Sequence, residues 1–316
     1  MNLRWTPIFG EFSGIDSNVL TFHGKPTNWI DAATGKERDD GGAAGFALCD
    51  AQFSGGTISL KAIFEAPTSP ASVSIALAVD VGASKSITIG LGIAGALVAA
   101  ASNDGREWRP IQGAMVGVAE TIKANKEYEL SVTIIGTRVL VKVNGAQMVD
   151  FVLPNPVAGL PVGMNVLSKS KVTISDYEVK SEKPKAFIVM QFSTPYNELY
   201  KEVIKKVCLE FDVEPVRVDE IYSQGLIIQD ITRQLTEAAV VIAEITPTNA
   251  NVYYEVGYAH AINKPTILIA DKSIKLPFDV SPFRVLMYEN TIDGKGRVEE
   301  GLRRHLQAVF RPGQPI

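Results

Sequence analysis

Hydrophobic positions along this chain follow two different periods. Up to about Val179, apolar and polar residues alternate at every second position in short runs broken by turn signals, which is the pattern of half-buried antiparallel strands. Helical periodicity is nearly absent there. The clearest stretch runs from Tyr128 to Phe151: Leu130, Val132 and Ile134 alternate, Gly136-Thr137 turns, and Val139, Val141 and Val143 alternate again. Asn144-Gly145 then supplies the positive φ angles that a tight hairpin needs. Further strands are predicted at 57–65, 72–80, 86–92, 163–167 and 171–179. The apolar stretch 87–101 is too short for a membrane span, carries three glycines and reads as buried strands. So many short strands without helices predict a β-sandwich over residues 1–180.

Ser181-Glu182-Lys183-Pro184-Lys185 is polar, charged and proline-containing, and reads as a short linker. Beyond it the period changes. Strand-sized apolar runs at 186–190, 213–218, 239–245, 266–270 and 284–288 mostly alternate with helix-sized segments at 196–210, 225–238, 251–263 and 296–310. Near-continuous apolar strands separated by helices predict a parallel sheet covered on both faces, a flavodoxin-like doubly wound α/β domain of about five strands over residues 185–316.

In such sheets ligands sit beyond the carboxyl ends of the strands, where strand order reverses. That rule selects Gln191, Phe192 and Ser193 after the first strand, Asp219 and Glu220 after the second, and Glu244 to Asn251 after the third. The densest segment runs from Glu244 through Asn249, Asn251, Tyr254, Glu255 and Tyr258 to Ala261, a polar loop leading into a helix. Asn251 or Asn249 is the expected N-cap. A capping box places its acidic residue three positions after the cap, and Glu255 fits that spacing from neither asparagine. Gly257, Ala259 and Ala261 are small enough for close approach of the helix to the sheet or for ligand access, since glycine within a helix otherwise costs roughly 1 kcal/mol against alanine. His260 reads as a packing residue and Asp230 as a structural one.

In both halves the residues carry resemblances. The order of a Gly55-Gly56 strand start, the Trp108 strand, the 128–144 hairpin, Val162-Gly163 and a last strand at 176–179 resembles the concanavalin A-like, laminin-G-type jelly roll, a fold that often binds sugars or proteins. In the second half, Phe187-Ile-Val-Met-Gln-Phe192, Val218-Asp219-Glu220-Ile221, 225–231, Ala243-Glu244-Ile245-Thr246, and Asn251 to Ala261 followed by Lys264-Pro265 resemble the TIR-like and nucleoside 2-deoxyribosyltransferase-like domains of bacterial proteins. The second resemblance implies cleavage or transfer at an N-glycosidic bond with Glu255 as the essential carboxylate. NAD, as substrate rather than cofactor, is the expected ligand, with a nucleoside or nucleotide as the alternative.

Gln191, Phe192, Ser193, Asp219, Glu244, Asn251, Tyr254 and Tyr258 are then the expected substrate-binding residues. Asp219 would meet sugar hydroxyls, and Phe192, Tyr254 or Tyr258 would stack on a base. The same resemblance implies an anti-phage effector acting as a homo-oligomer, with the sandwich sensing a protein or carbohydrate trigger or assembling protomers. Three positions depart from the pattern. Asn249 and Asn251 stand where deoxyribosyltransferases usually carry an aspartate shortly before their nucleophile. Glu244 stands where related domains often show aspartate, and its longer side chain would reshape the pocket.

Composition narrows the remaining choices. A length of 316 residues suits two domains, and a net charge of −4 with a pI near 5.6 gives no basic surface for nucleic acid. Cys49 and Cys208 form no close pair of the zinc-binding or disulfide type, and the amino terminus lacks the pattern of a signal peptide, so a cytoplasmic protein is expected. No Walker or dinucleotide fingerprint follows the first strand of the second half, Gly225 standing alone, and no Gly-x-Ser-x-Gly elbow or metal-ligand cluster occurs. Kinase, hydride-transfer and serine-hydrolase chemistries are thereby disfavoured. A third reading, a non-catalytic nucleotide-sensing module, stays open.

Overall fold

The computed structural model describes residues 3–24, 28–30, 37–39, 44–67, 70–220, 227–276, 280 and 283–310. The chain divides into two compact units. One comprises Met1–Ile134, Val139–Val152 and Val157–Glu182, the other Ile135–Arg138, Leu153–Pro156 and Lys183–Ile316.

The first unit is a sandwich of two seven-stranded antiparallel sheets. One sheet runs in the order Trp5–Phe9, Ala44–Phe53, Leu160–Leu167, Ser72–Asp80, Lys85–Leu91, Val98–Asp104 and Trp108–Val116. The other runs Ala146–Val152, Arg138–Val143, Glu127–Ile135, Gly56–Phe64, Val172–Ser181, Val19–Phe22 and Phe12–Ser13. The alternation read from the sequence is the alternation of burial: Ile58, Leu60, Ala62 and Phe64 point inward from one strand, and Tyr128, Leu130, Val132 and Ile134 from its neighbour. Asn144 and Gly145 have φ of 50° and 79°, the pair of positive angles a two-residue hairpin requires. The Asn144 side chain also accepts the Glu129 amide at 2.9 Å. Between the sheets, Trp5 meets Tyr177 edge-on at 4.8 Å, and the Tyr177 hydroxyl donates to the Gly163 carbonyl at 3.1 Å.

The second unit holds five parallel strands: β1 (Lys185–Val189), β2 (Glu214–Arg217), β3 (Val240–Glu244), β4 (Thr266–Asp271) and β5 (Val285–Tyr288). Their order is β2-β1-β3-β4-β5, the flavodoxin-like arrangement. Helices fill the first three crossovers, and a fourth helix follows β5. The first, α1, passes through Tyr196–Leu199, a π-helical turn at Tyr200–Ile204, and Lys205–Glu210; α2 is Ile227–Glu237, α3 is Ala250–Ala261 and α4 is Ile292–Phe310. Gly225, at the expected start of α2, lies outside the described residues.

Every residue of β3 is buried because both faces of the sheet are covered. Ile188, Ile242 and Ile269 pack on one side with Val207 of α1 and Leu302 of α4; Phe187, Val241 and Leu268 pack on the other with Leu235 of α2 and Val252 and Val256 of α3.

Ile242 is fully buried in the central strand, so Ile242→Ala removes packing that the neighbours cannot restore. We expect a loss of about 2–5 kcal/mol in urea unfolding followed by helical circular dichroism, a signal that arises in the second unit. A loss below about 1 kcal/mol would contradict this packing.

Candidate functional site

Because all five strands run in one direction, their carboxyl ends share one edge, and strand order reverses between β1 and β3. Gln191, Phe192 and Ser193 follow β1, Asp219 follows β2 in a 3₁₀ turn, and Glu244 ends β3. Asp271 and Tyr288 end β4 and β5 on the same edge.

At the β1–β2 side the organising residue is Arg217, which sequence reasoning did not single out. It is buried, with its guanidinium 4.9 Å from the Phe192 ring and 4.4 Å from the Tyr200 ring. Its Nε donates to Asp219 Oδ1 at 2.9 Å, one terminal nitrogen donates to the second Asp219 oxygen, and the other donates to Asn197 at 3.0 Å. The π-helical turn of α1 carries Tyr200 into this stack, and such turns are frequent at functional sites. The sequence signal for Arg217 is a charge at the end of an apolar run. Beside it, the Gln191 amide donates to the Ser193 hydroxyl at 2.9 Å.

Glu244 lies beneath the edge, 1% exposed. One carboxyl oxygen accepts the Thr246 amide at 3.0 Å and the other accepts the Tyr288 hydroxyl at 3.2 Å. Burial outweighs these bonds and pushes its pKa up to about 8, with Asp271 adding repulsion. The Tyr253 hydroxyl, raised by burial and by Glu244, is itself buried with no hydrogen-bond partner among the described residues.

Helix α3 leaves this edge. Asn249 is its N-cap, its side chain accepting the amide of the exposed Asn251 at 2.9 Å. Glu255 is six residues past that cap, beyond both a capping role and the reach of the helix dipole. Val252, Val256 and Ala259 face the sheet. Glu255 is one turn from Val252 and Ala259, and burial alone pushes its carboxyl up to about 7. It has no hydrogen bond or ion pair among the described residues. Tyr254 is 54% exposed, and Tyr258, one turn on, is half-buried against the core. The expected close approach at Gly257 is not present: it is exposed, and a Cβ there would meet nothing within 4 Å. Only Ala259 of the three small residues is buried. His260 stacks on Phe283 at 4.4 Å, a packing role.

Direct contacts therefore join Phe192 to Asp219 through Arg217, and Gln191 to Ser193. Glu244 and Glu255 are not joined to those groups by any hydrogen bond or ion pair among the described residues.

The sandwich has a concavity of its own, of about 740 Å³. Ser72 and Ser74 line it, 9% and 3% exposed, and their hydroxyls have no hydrogen-bond partner among the described residues. Asn165, Phe46 and Trp108 line it too, and Asp80, Glu120, Lys85 and Arg106 supply two charges of each sign. Among the described residues no group of acidic, histidine and cysteine side chains is placed to hold a metal ion, and no helix is long and apolar enough to cross a membrane.

No protein-family model matches the chain, and no curated protein matches it. Solved structures do. A carbohydrate binding module from Bacillus subtilis is 15% identical, with 56% of this chain and 95% of that chain covered, at a TM-score of 0.39. A Bacillus licheniformis beta-glucanase is 11% identical, with 57% and 94% covered, at 0.37. A Bacillus subtilis protein of galectin-like fold is 13% identical, with 55% and 87% covered, at 0.38. Likenesses this low speak to neither ligand nor chemistry.

Glu244 gives a pH prediction. Its carboxyl pKa is raised from 4.5 to about 8 on folding, so the stability contributed by its proton is complete below about 4.5 and is lost as pH rises through about 8. Thermal melts from pH 5 to 9 should show wild type falling relative to Glu244→Gln, whose amide cannot ionise. Parallel curves would mean that Glu244 titrates normally.

Proposed function

We propose that the second unit cleaves the N-glycosidic bond of a nucleotide, NAD being the substrate that fits best, with release of nicotinamide. One observation carries the reading: Glu255 is a half-buried carboxyl on the helix that leaves the switch point, with no partner among the described residues and a pKa raised by burial to about 7. Structural carboxylates that lose water gain hydrogen bonds or ion pairs in exchange, and an unpaired one whose pKa is pushed toward neutrality is the usual mark of a site.

The chemistry asks for such a group. As the bond from ribose C1′ to the nicotinamide nitrogen breaks, its electron pair goes to the nitrogen, the ring becomes neutral, and positive charge develops at C1′. An ionised Glu255 stabilises that cation or adds to it. Water then joins C1′ and gives up a proton, so NAD and water yield ADP-ribose, nicotinamide and H⁺. The leaving group needs no strong acid, which suits a chain with only three histidines.

The expected homo-oligomer and the role in anti-phage defence rest on the resemblance to TIR-like domains alone. A deoxyribosyltransferase or nucleoside hydrolase is the enzymatic alternative, distinguished by turnover of nucleosides rather than NAD. A nucleotide sensor would bind without turnover, unchanged by Glu255→Gln.

For the sandwich the proposal is a neutral, hydroxyl-rich ligand. The unpartnered Ser72 and Ser74 hydroxyls, the exposed aromatic Trp108 and the balanced charges of the cleft support it. Calorimetry of the full chain with a panel of neutral oligosaccharides should give binding that Ser74→Leu removes. Equal heats for both proteins, or none, would count against it.

For the catalytic reading, chromatography should detect free nicotinamide from NAD with wild type and at least about 100-fold less with Glu255→Gln. The wild-type rate should rise through pH about 7 as Glu255 ionises, then level. Silence from both proteins, even concentrated, would reject NAD as substrate.

A further inference from the structure

Arg217 is 6% exposed and spends three of its five N–H donors within the protein. Its Nε and one terminal nitrogen hold Asp219, the other terminal nitrogen holds Asn197, and its plane lies over two aromatic rings. It acts as a strut that fixes what surrounds it. Phe192, held from one face, still leaves 44% of its surface exposed, a fixed aromatic surface suited to a planar base. The Asp219 side chain is 34% exposed, and each of its oxygens keeps a lone pair after pairing with Arg217. A carboxylate just past the second strand of a doubly wound sheet is well placed to accept from ribose hydroxyls.

We propose that Phe192, Arg217 and Asp219 form the adenosine subsite, so that NAD lies across the switch point with adenine on Phe192 and nicotinamide at Glu255. The inference rests on the glycohydrolase reading. In that reaction the nicotinamide riboside lies at Glu255, on the helix that follows β3. Phe192 and Asp219 stand at the ends of β1 and β2, on the other side of the reversal, where the second half of a dinucleotide falls. The ring electronics agree. A phenyl face already engaged by a guanidinium is a poor platform for the cationic nicotinamide ring and a good one for neutral adenine.

The test compares NAD with nicotinamide mononucleotide, which lacks the adenosine, using Phe192→Ala and Asp219→Asn; Phe192→Leu keeps apolar bulk without a stacking plane. Each variant should raise KM for NAD at least about tenfold more than KM for the mononucleotide, with kcat on NAD little changed, tenfold being about the worth of one base–aromatic stack. Calorimetry with AMP should show the same fall in affinity for Phe192→Ala. Equal changes toward both substrates, or AMP bound alike by wild type and variant, would overturn the subsite. If neither substrate yields nicotinamide, the glycohydrolase reading fails on its own, and the AMP titration still decides the subsite.

Discussion

The constraint on which the second unit depends is that its five strands run the same way. A parallel connection has to cross back over a face of the sheet, so each strand delivers its chain to one common edge before the helix begins. With β1 inserted between β2 and β3, the crossovers leave that edge toward opposite faces, the place where doubly wound sheets bind their ligands. Gln191, Phe192, Asp219 and Glu244 gather there as a consequence of direction and order, although they are far apart in the chain.

The polar groups at that edge fall into two kinds. Arg217 is buried, its charge met by Asp219 and its faces by rings, while Glu244 is buried, accepts two hydrogen bonds and is pushed toward its neutral form by desolvation that outweighs them. Both settle the cost of desolvation locally, as interior groups must. Glu255 differs: it is half-buried, its pKa is raised by burial, and it has no partner among the described residues.

Much of this was legible in the sequence because burial imposes a period. The hairpin at Asn144-Gly145 and the five parallel strands were readable from alternation, continuous apolar runs and turn chemistry. The strands Trp5–Phe9 and Ala44–Phe53 were not, since their partners are set by pairings across the sheet rather than by local pattern. Helix α4 begins at Ile292, ahead of the expected 296, because its first residue is 96% exposed and Gly294 and Gly296 mask the helical period. Within the site, strand-end position found Asp219 and Glu244, and the helix after β3 together with the resemblance found Glu255, but not their environments. Glu244 is bonded by Tyr288, 44 residues on, and Arg217 by Asn197, 20 residues back, distances at which single-sequence patterns carry no signal.

The proposed glycohydrolase chemistry depends on the charge of the Glu255 carboxyl where a ribose cation would form. A carbon-13 NMR titration of the glutamate carboxyls, with Glu255 assigned by its loss in Glu255→Gln, measures that charge directly. It should be repeated with a non-hydrolysable NAD analogue whose nicotinamide ribose carries a methylene in place of the ring oxygen. The account predicts a midpoint near 7 in the free protein and a clear fall with the analogue, because a cationic ring beside the carboxylate favours its charged form. A midpoint at the ordinary value for glutamate, about 4.3, and unmoved by the analogue, would contradict it.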